Sequence, residues 1–105
     1  MKEISPKELK KMIDSKEEFQ LIDVREQDEV DIATLGGEHI PMADVMNEVA
    51  RISRDKKVIV HCRSGKRSAA VIHALEANHG FTNLYNLQGG ILAYADEVDQ
   101  QLTKY

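Results

Sequence analysis

The stretch KKVIVHCRSGKRSAAVIHAL, Lys56–Leu75, reads as strand, tight loop and helix, and its reading decides the fold class. Val58-Ile59-Val60 is a β-branched run of the kind that forms a strand buried on both faces. Cys62, the single cysteine of the 105-residue chain, falls where that strand ends. Arg63-Ser64-Gly65-Lys66-Arg67 turns the chain, with Gly65 free to take a positive φ. From Ser68 the small apolar residues Ala69, Ala70, Val71, Ile72, Ala74 and Leu75 predict a helix packed closely on a sheet. Gly80 after His79 predicts the helix stop, with Phe81 placed to pack back on the last turn.

A loop between a strand end and a helix start turns successive backbone N–H groups inward and makes an anion nest. At the rim of such a nest the amides, the helix dipole and nearby cations favour the thiolate of a cysteine, which in free form titrates near ~8.5. Arg63, Lys66 and Arg67 supply the cations. A lone cysteine is more commonly a buried, inert structural residue. Here strand end, glycine turn, three cations and helix start coincide, and together they point to chemistry.

Four segments, in this order and spacing, carry a resemblance to the rhodanese (sulfurtransferase) family. LIDVRE (Leu21–Glu26) is similar to its strand-plus-acidic signature, and HIP (His39–Pro41) resembles its Gly-His-Ile-Pro-Gly-Ala motif. Cys62 to Arg67 resembles its six-residue active-site loop. NLYNLQGGILAY (Asn83–Tyr94) resembles its closing strand, Gly-Gly turn and helix. Two positions depart from the family pattern: Met42 stands for a glycine and Tyr94 for a tryptophan. The resemblance implies a five-stranded sheet and sulfur transfer through a persulfide on a catalytic Cys62. The backbone N–H groups of Arg63, Ser64, Gly65, Lys66, Arg67 and Ser68 would hold the anionic sulfur. Arg63 and Lys66 would bind an oxyanionic donor such as thiosulfate. Arg67 would do the same or brace the loop against Asp23 or Glu26. The Ser68 hydroxyl would bond the thiolate or cap the helix. The acceptor would be cyanide, a thiol or a sulfur-carrier protein, and no cofactor is implied.

Length bounds the chain to one domain, residues 1–105. A hydrophobic content of 42% with 30% charged residues is ordinary for a globular protein. No apolar run is long enough to span a bilayer. Met1-Lys2-Glu3-Ile4 leads straight into a helix signal, so no secretory signal peptide is expected. One cysteine rules out an internal disulfide and any multi-cysteine zinc site, and a reducing cytoplasm is the expected compartment. The net charge of −4 is uneven: residues 51–70 carry seven Lys/Arg and one acid, net +6, leaving −10 elsewhere. A basic focus in an acidic protein predicts a small anionic substrate. It argues against a nucleic-acid surface, which needs a wider basic face with stacking aromatics.

The remaining elements follow in order. Ser5-Pro6-Lys7-Glu8 is a capping box opening a helix with Leu9, Met12 and Ile13 on its apolar stripe. Phe19–Val24 predicts a buried strand. Asp23 and Arg25, with Glu26, read as a loop-supporting hydrogen-bonded cluster at its carboxyl end rather than as catalytic groups. Asp28–Ile32 predicts a short polar helix, and Val45, Met46, Val49 and Ile52 space a third amphipathic helix. Leu84–Leu87 is the last strand, followed by a Gln88-Gly89-Gly90 turn expected close to the cysteine loop and a helix carrying Ile91, Ala95 and Val98. His39 lacks a partner at metal-ligand spacing, and His61 points to the face opposite Cys62, which makes it a poor candidate for the thiol's base. Helices alternating with buried strands predict an α/β fold, a mostly parallel sheet covered on both faces.

Two other functions fit parts of the pattern. Cysteine-dependent phosphatases and arsenate reductases also use a strand–loop–helix cradle, but their H-C-x5-R pattern puts arginine where Ser68 stands; Arg67 comes one residue early. The shorter ring of amides suits a single sulfur atom better than a phosphoryl group. A non-catalytic interaction module of the same fold is the third reading. Such modules commonly lack the cysteine that this chain keeps.

Overall fold

A computed structural model describes residues 1–105. Five parallel strands form one sheet: β1 (Glu3–Ile4), β2 (Phe19–Asp23), β3 (Glu38–His39), β4 (Lys57–His61) and β5 (Leu84–Leu87), in the spatial order β1-β5-β4-β2-β3. Helices α1 (Pro6–Asp14), α2 (Gln27–Ile32) and α3 (Lys66–His79) connect strands, and α4 (Gly90–Glu97) follows β5. The expected parallel α/β sheet with covered faces is what forms. β4 lies at its centre, and Val58, Ile59 and Val60 are all at most 1% exposed, as a β-branched run between two layers requires.

Alternation along β4 sorts the core into two halves. Val58, Val60 and Cys62 join Ile22, Val24, Ile40, Val45, Ile52, Val71, Ile72 and Leu75 under α3. Ile59 joins Ile4, Leu9, Met12, Leu87 and Tyr94 under α1 and α4. Tyr94, at the tryptophan position of the family pattern, is therefore a packing residue of the α1–α4 layer.

Chain order changes direction between β2 and β4. β2 leads outward to β3, while β4 leads the other way to β5. In open α/β sheets the crevice beyond the carboxyl ends of two such strands receives ligands. Here Asp23, Val24 and Arg25 leave β2, and Cys62 leaves β4, at that crevice.

Local signals account for most element ends. Ser5 and Glu8 form the reciprocal capping box of α1. Gly80 stops α3 in the left-handed conformation, with Phe81 buried behind it. Two expectations need correction and one is extended. The Val45–Ile52 segment is not an α-helix but two 3-10 turns, Met42–Asn47 and Val49–Arg51. Pro41 offers no capping side chain, and Glu48 leaves helical geometry at φ −119°; two short turns suffice to bury Val45 and Ile52. Residues 3–4, expected only as the approach to α1, also form an edge strand on β5. Two residues carry no periodicity to read. Finally, α3 begins at Lys66, not Ser68, because Gly65 takes the cap position.

Candidate active site

β4 delivers Cys62 to the floor of the loop with only 1% of the residue exposed. Gly65 turns the chain at φ 103°, a backbone state that side chains rarely adopt, and its N–H donates to Cys62 Sγ at 3.1 Å. The Ser68 hydroxyl, one turn into α3, stands 3.5 Å from the same sulfur. Burial opposes ionisation of the thiol. The Ser68 hydroxyl and the backbone N–H groups of Ser68, Gly65 and Ser64 outweigh it and hold the thiol below its ordinary value. Hydroxyl and amides, more than the surrounding cations, make this sulfur acidic.

The loop is locked from behind. Ser68 Oγ, whose single proton can serve either acceptor, lies 2.6 Å from Asn86 Oδ1 as well as 3.5 Å from Cys62 Sγ, and Asn86 Nδ2 donates to the Gly65 carbonyl at 3.1 Å. The start of α4 then closes on the loop: the N–H groups of Ile91 and Leu92 donate to the carbonyls of Cys62 and Arg63 at 3.0 and 3.2 Å. Gly90 makes this approach possible, since a Cβ there would lie 2.4 Å from the Arg63 carbonyl oxygen. The expected closeness of the Gly-Gly turn to the cysteine loop is thus a direct hydrogen-bonded contact.

Arg67 braces the loop, but neither Asp23 nor Glu26 is its partner. Its guanidinium forms a two-point pair with Glu29 of α2, at 2.6 and 2.8 Å. The Arg67 hydrogen bonds hold the Glu29 carboxyl down at about 2. Asp23 and Arg25 act one step further back. Arg25 is fully buried and every guanidinium nitrogen is used: on Asp23, on the Glu29 carbonyl of α2 and the Ala33 carbonyl just past its end, and on the Tyr105 hydroxyl. Arg25 therefore pins α2 to the end of β2, and α2 presents Glu29 to Arg67. His39 fixes the same corner by donating from Nε2 to the Arg25 carbonyl at 2.5 Å.

Arg63, Ser64 and Lys66 are exposed on the loop's outer surface. His61 lies on the opposite face, fully buried. Its Nε2 is 3.7 Å from Asp23 Oδ2, and neither ring nitrogen has a hydrogen-bond partner.

A family model for the rhodanese-like domain matches residues 5–97. The chain belongs to the rhodanese-like family. A putative sulfurtransferase of Bacillus subtilis, YtwF, is 39% identical over 98 residues, covering 92% of this chain and 93% of that one. A probable adenylyltransferase/sulfurtransferase of Mycobacterium tuberculosis, MoeZ, is 32% identical over 105 residues. That match covers 97% of this chain but only 26% of the longer protein. A rhodanese-like domain protein from Staphylococcus aureus superposes with a TM-score of 0.82 at 30% identity, over 93% of this chain and 95% of that one.

In this rhodanese-like chain, three residues of the loop's surroundings escaped the sequence reading: Glu29, Asn86 and Tyr105. Asn86 had a signal, being a polar residue inside the apolar strand run Leu84–Leu87. Glu29 looked like one more acid of a polar helix. Tyr105 lies 80 residues from the arginine it contacts and gave no signal at all.

Proposed function

We propose that the chain is a sulfurtransferase that carries a sulfane sulfur on Cys62. The observation that supports this most is the convergence of the Gly65 N–H, at 3.1 Å, and the Ser68 hydroxyl, at 3.5 Å, on a thiol at the crevice between β2 and β4. The Cys62 thiolate attacks the outer sulfur of an anionic donor such as thiosulfate. A new S–S bond forms, the donor's S–S bond breaks, and sulfite leaves with the electron pair. The persulfide's terminal sulfur carries the negative charge and accepts hydrogen bonds from the loop's N–H groups. An acceptor nucleophile then attacks that sulfur, and Cys62 leaves as the thiolate it was. No outside electron donor is needed, and no cofactor or metal takes part.

Arg63 and Lys66, exposed at the rim, meet the oxyanion of the donor, and Ser64 and Gly65 line the ring. Arg67 keeps the ring's shape through Glu29. Its commitment there disfavours the phosphatase reading, in which a loop arginine clasps the phosphoryl oxygens. A thiol or a sulfur-carrier protein is the acceptor this reading favours. Relatives whose names pair adenylyltransferase with sulfurtransferase fit a carboxylate activated for sulfur entry. A single cysteine and the absence of a helix long and apolar enough to cross a membrane suit work in the reducing cytoplasm.

Mass spectrometry after thiosulfate treatment tests the proposal. The intact protein gains one sulfur at Cys62, cyanide removes it, and Cys62→Ser gains none. An unreactive Cys62 against a panel of donors, in folded protein, would favour a non-catalytic module.

A further inference from the structure

Tyr105 lies beyond the family match, which ends at residue 97, yet it stands in the wall of the loop. Its hydroxyl donates to Glu29 Oε2 and accepts from Arg25 Nη1, both at 2.8 Å. Its ring carries the Arg63 guanidinium, whose central carbon is 5.0 Å from the ring centroid. The segment that brings it there is anchored. Val98 and Leu102 pack on the α1–α4 core, and Lys104 pairs with Asp96. Arg67 is held by a carboxylate, whereas the Arg63 side chain has this aromatic face as its contact. A surface arginine otherwise spreads over many rotamers, and a π face restricts it without neutralising its charge. A carboxylate partner would hold it equally well but would cancel the charge an anion needs.

We propose that Tyr105 is a positioning residue: its ring tethers Arg63 at the loop's rim as the cation that selects anionic reactants for Cys62. The proposal extends the sulfurtransferase reading by assigning its preference for anionic donors to this pair.

The test reads anion selection without sulfur chemistry. Cys62 displaces iodide from iodoacetate, an anion, and from iodoacetamide, which is neutral; in each case the S–C bond forms as the C–I bond breaks. The ratio of the two rates cancels the thiolate fraction. Tyr105→Leu lowers the iodoacetate-to-iodoacetamide ratio by about 2- to 5-fold, and Tyr105→Phe, which keeps the ring, leaves it near the unmodified protein's. Arg63→Ala lowers the ratio as well, and adding Tyr105→Leu lowers it no further. An unchanged ratio in folded Tyr105→Leu, equal loss in Leu and Phe, or additive loss in the double variant overturns the tether. A second measurement needs no variant: the Arg63 Nε–H resonance is displaced by the ring current, and a random-coil position overturns the proposal. If the ratio behaves as expected but no donor loads sulfur, the sulfurtransferase reading fails while the tether stands.

Discussion

At the scale of single residues, the acidity of Cys62 belongs to short contacts. Ser68 stands 3.5 Å from the sulfur and the Gly65 N–H 3.1 Å, whereas Lys66 is exposed in water. A hydrogen bond to an ionised group is worth more than a screened surface charge. Ser68→Ala is therefore expected to move the pH midpoint of Cys62 alkylation upward and to slow alkylation at pH 7 by about 10-fold. Lys66→Ala should leave that midpoint nearly in place. Its effect appears in thiosulfate loading, which becomes weaker and less sensitive to salt, since exposed charges are screened over about 10 Å at 0.1 M. Stopped-flow alkylation against pH, beside loading at two ionic strengths, separates the two roles. Equal midpoint shifts in both variants would return the thiol's acidity to the cations.

At the scale of elements, the loop is held by two helices that arrive from opposite directions in sequence. α4 arrives through Gly90, left-handed at φ 64° and without room for a Cβ beside the Arg63 carbonyl. Gly90→Ala combines backbone strain with that clash and should cost about 2 kcal/mol or more in urea unfolding. It should also slow Cys62 loading, because Ile91 and Leu92 lose their hold on the loop carbonyls. α2 arrives through Glu29, whose side chain is 15% exposed against 35% for Arg67. Glu29→Gln keeps the shape but weakens the charge-assisted pair, at an expected cost of about 1–2 kcal/mol. Loading should fall with it; undiminished loading would show that the loop keeps its ring without the brace.

At the scale of the whole molecule, stability should decline toward acid in two stages. Burial holds His61 neutral, below its ordinary 6.5, so the unfolded chain binds a proton that the fold refuses. Stability from His61 is complete above 6.5 and falls by up to about 1.4 kcal/mol per pH unit below it. Burial pushes Asp23 up, but Arg25's hydrogen bonds outweigh this, and Glu29 is held down to about 2. Both folded values lie below the unfolded ones. Their contribution is complete above the ordinary carboxylate range and is lost as pH falls through the folded values. Urea unfolding from pH 8 to 3 should show both stages, and His61→Leu should flatten the first. A first stage that survives in folded His61→Leu assigns it to another group.

The sequence alone determined what neighbouring residues decide. β4, the glycine turn, α3 with its Gly80 stop and the α1 capping box are each written within a few positions, by β-branching, positive-φ glycine and helix-end chemistry. So is the placement of Cys62 at a strand end. The tertiary structure decided what meets across the sheet. Glu29 pairs with Arg67 38 residues away, and Tyr105 reaches Arg25 across 80. An acid in a polar helix reads the same whether it brackets a loop or faces water. Only the strand order β4-β2-β3, which sets α2 beside the loop, tells them apart. The 3-10 turns and the two-residue β1 belong to the same class. Neither has a periodicity of its own, and both take their conformation from the core that Val45, Ile52 and Ile4 fill.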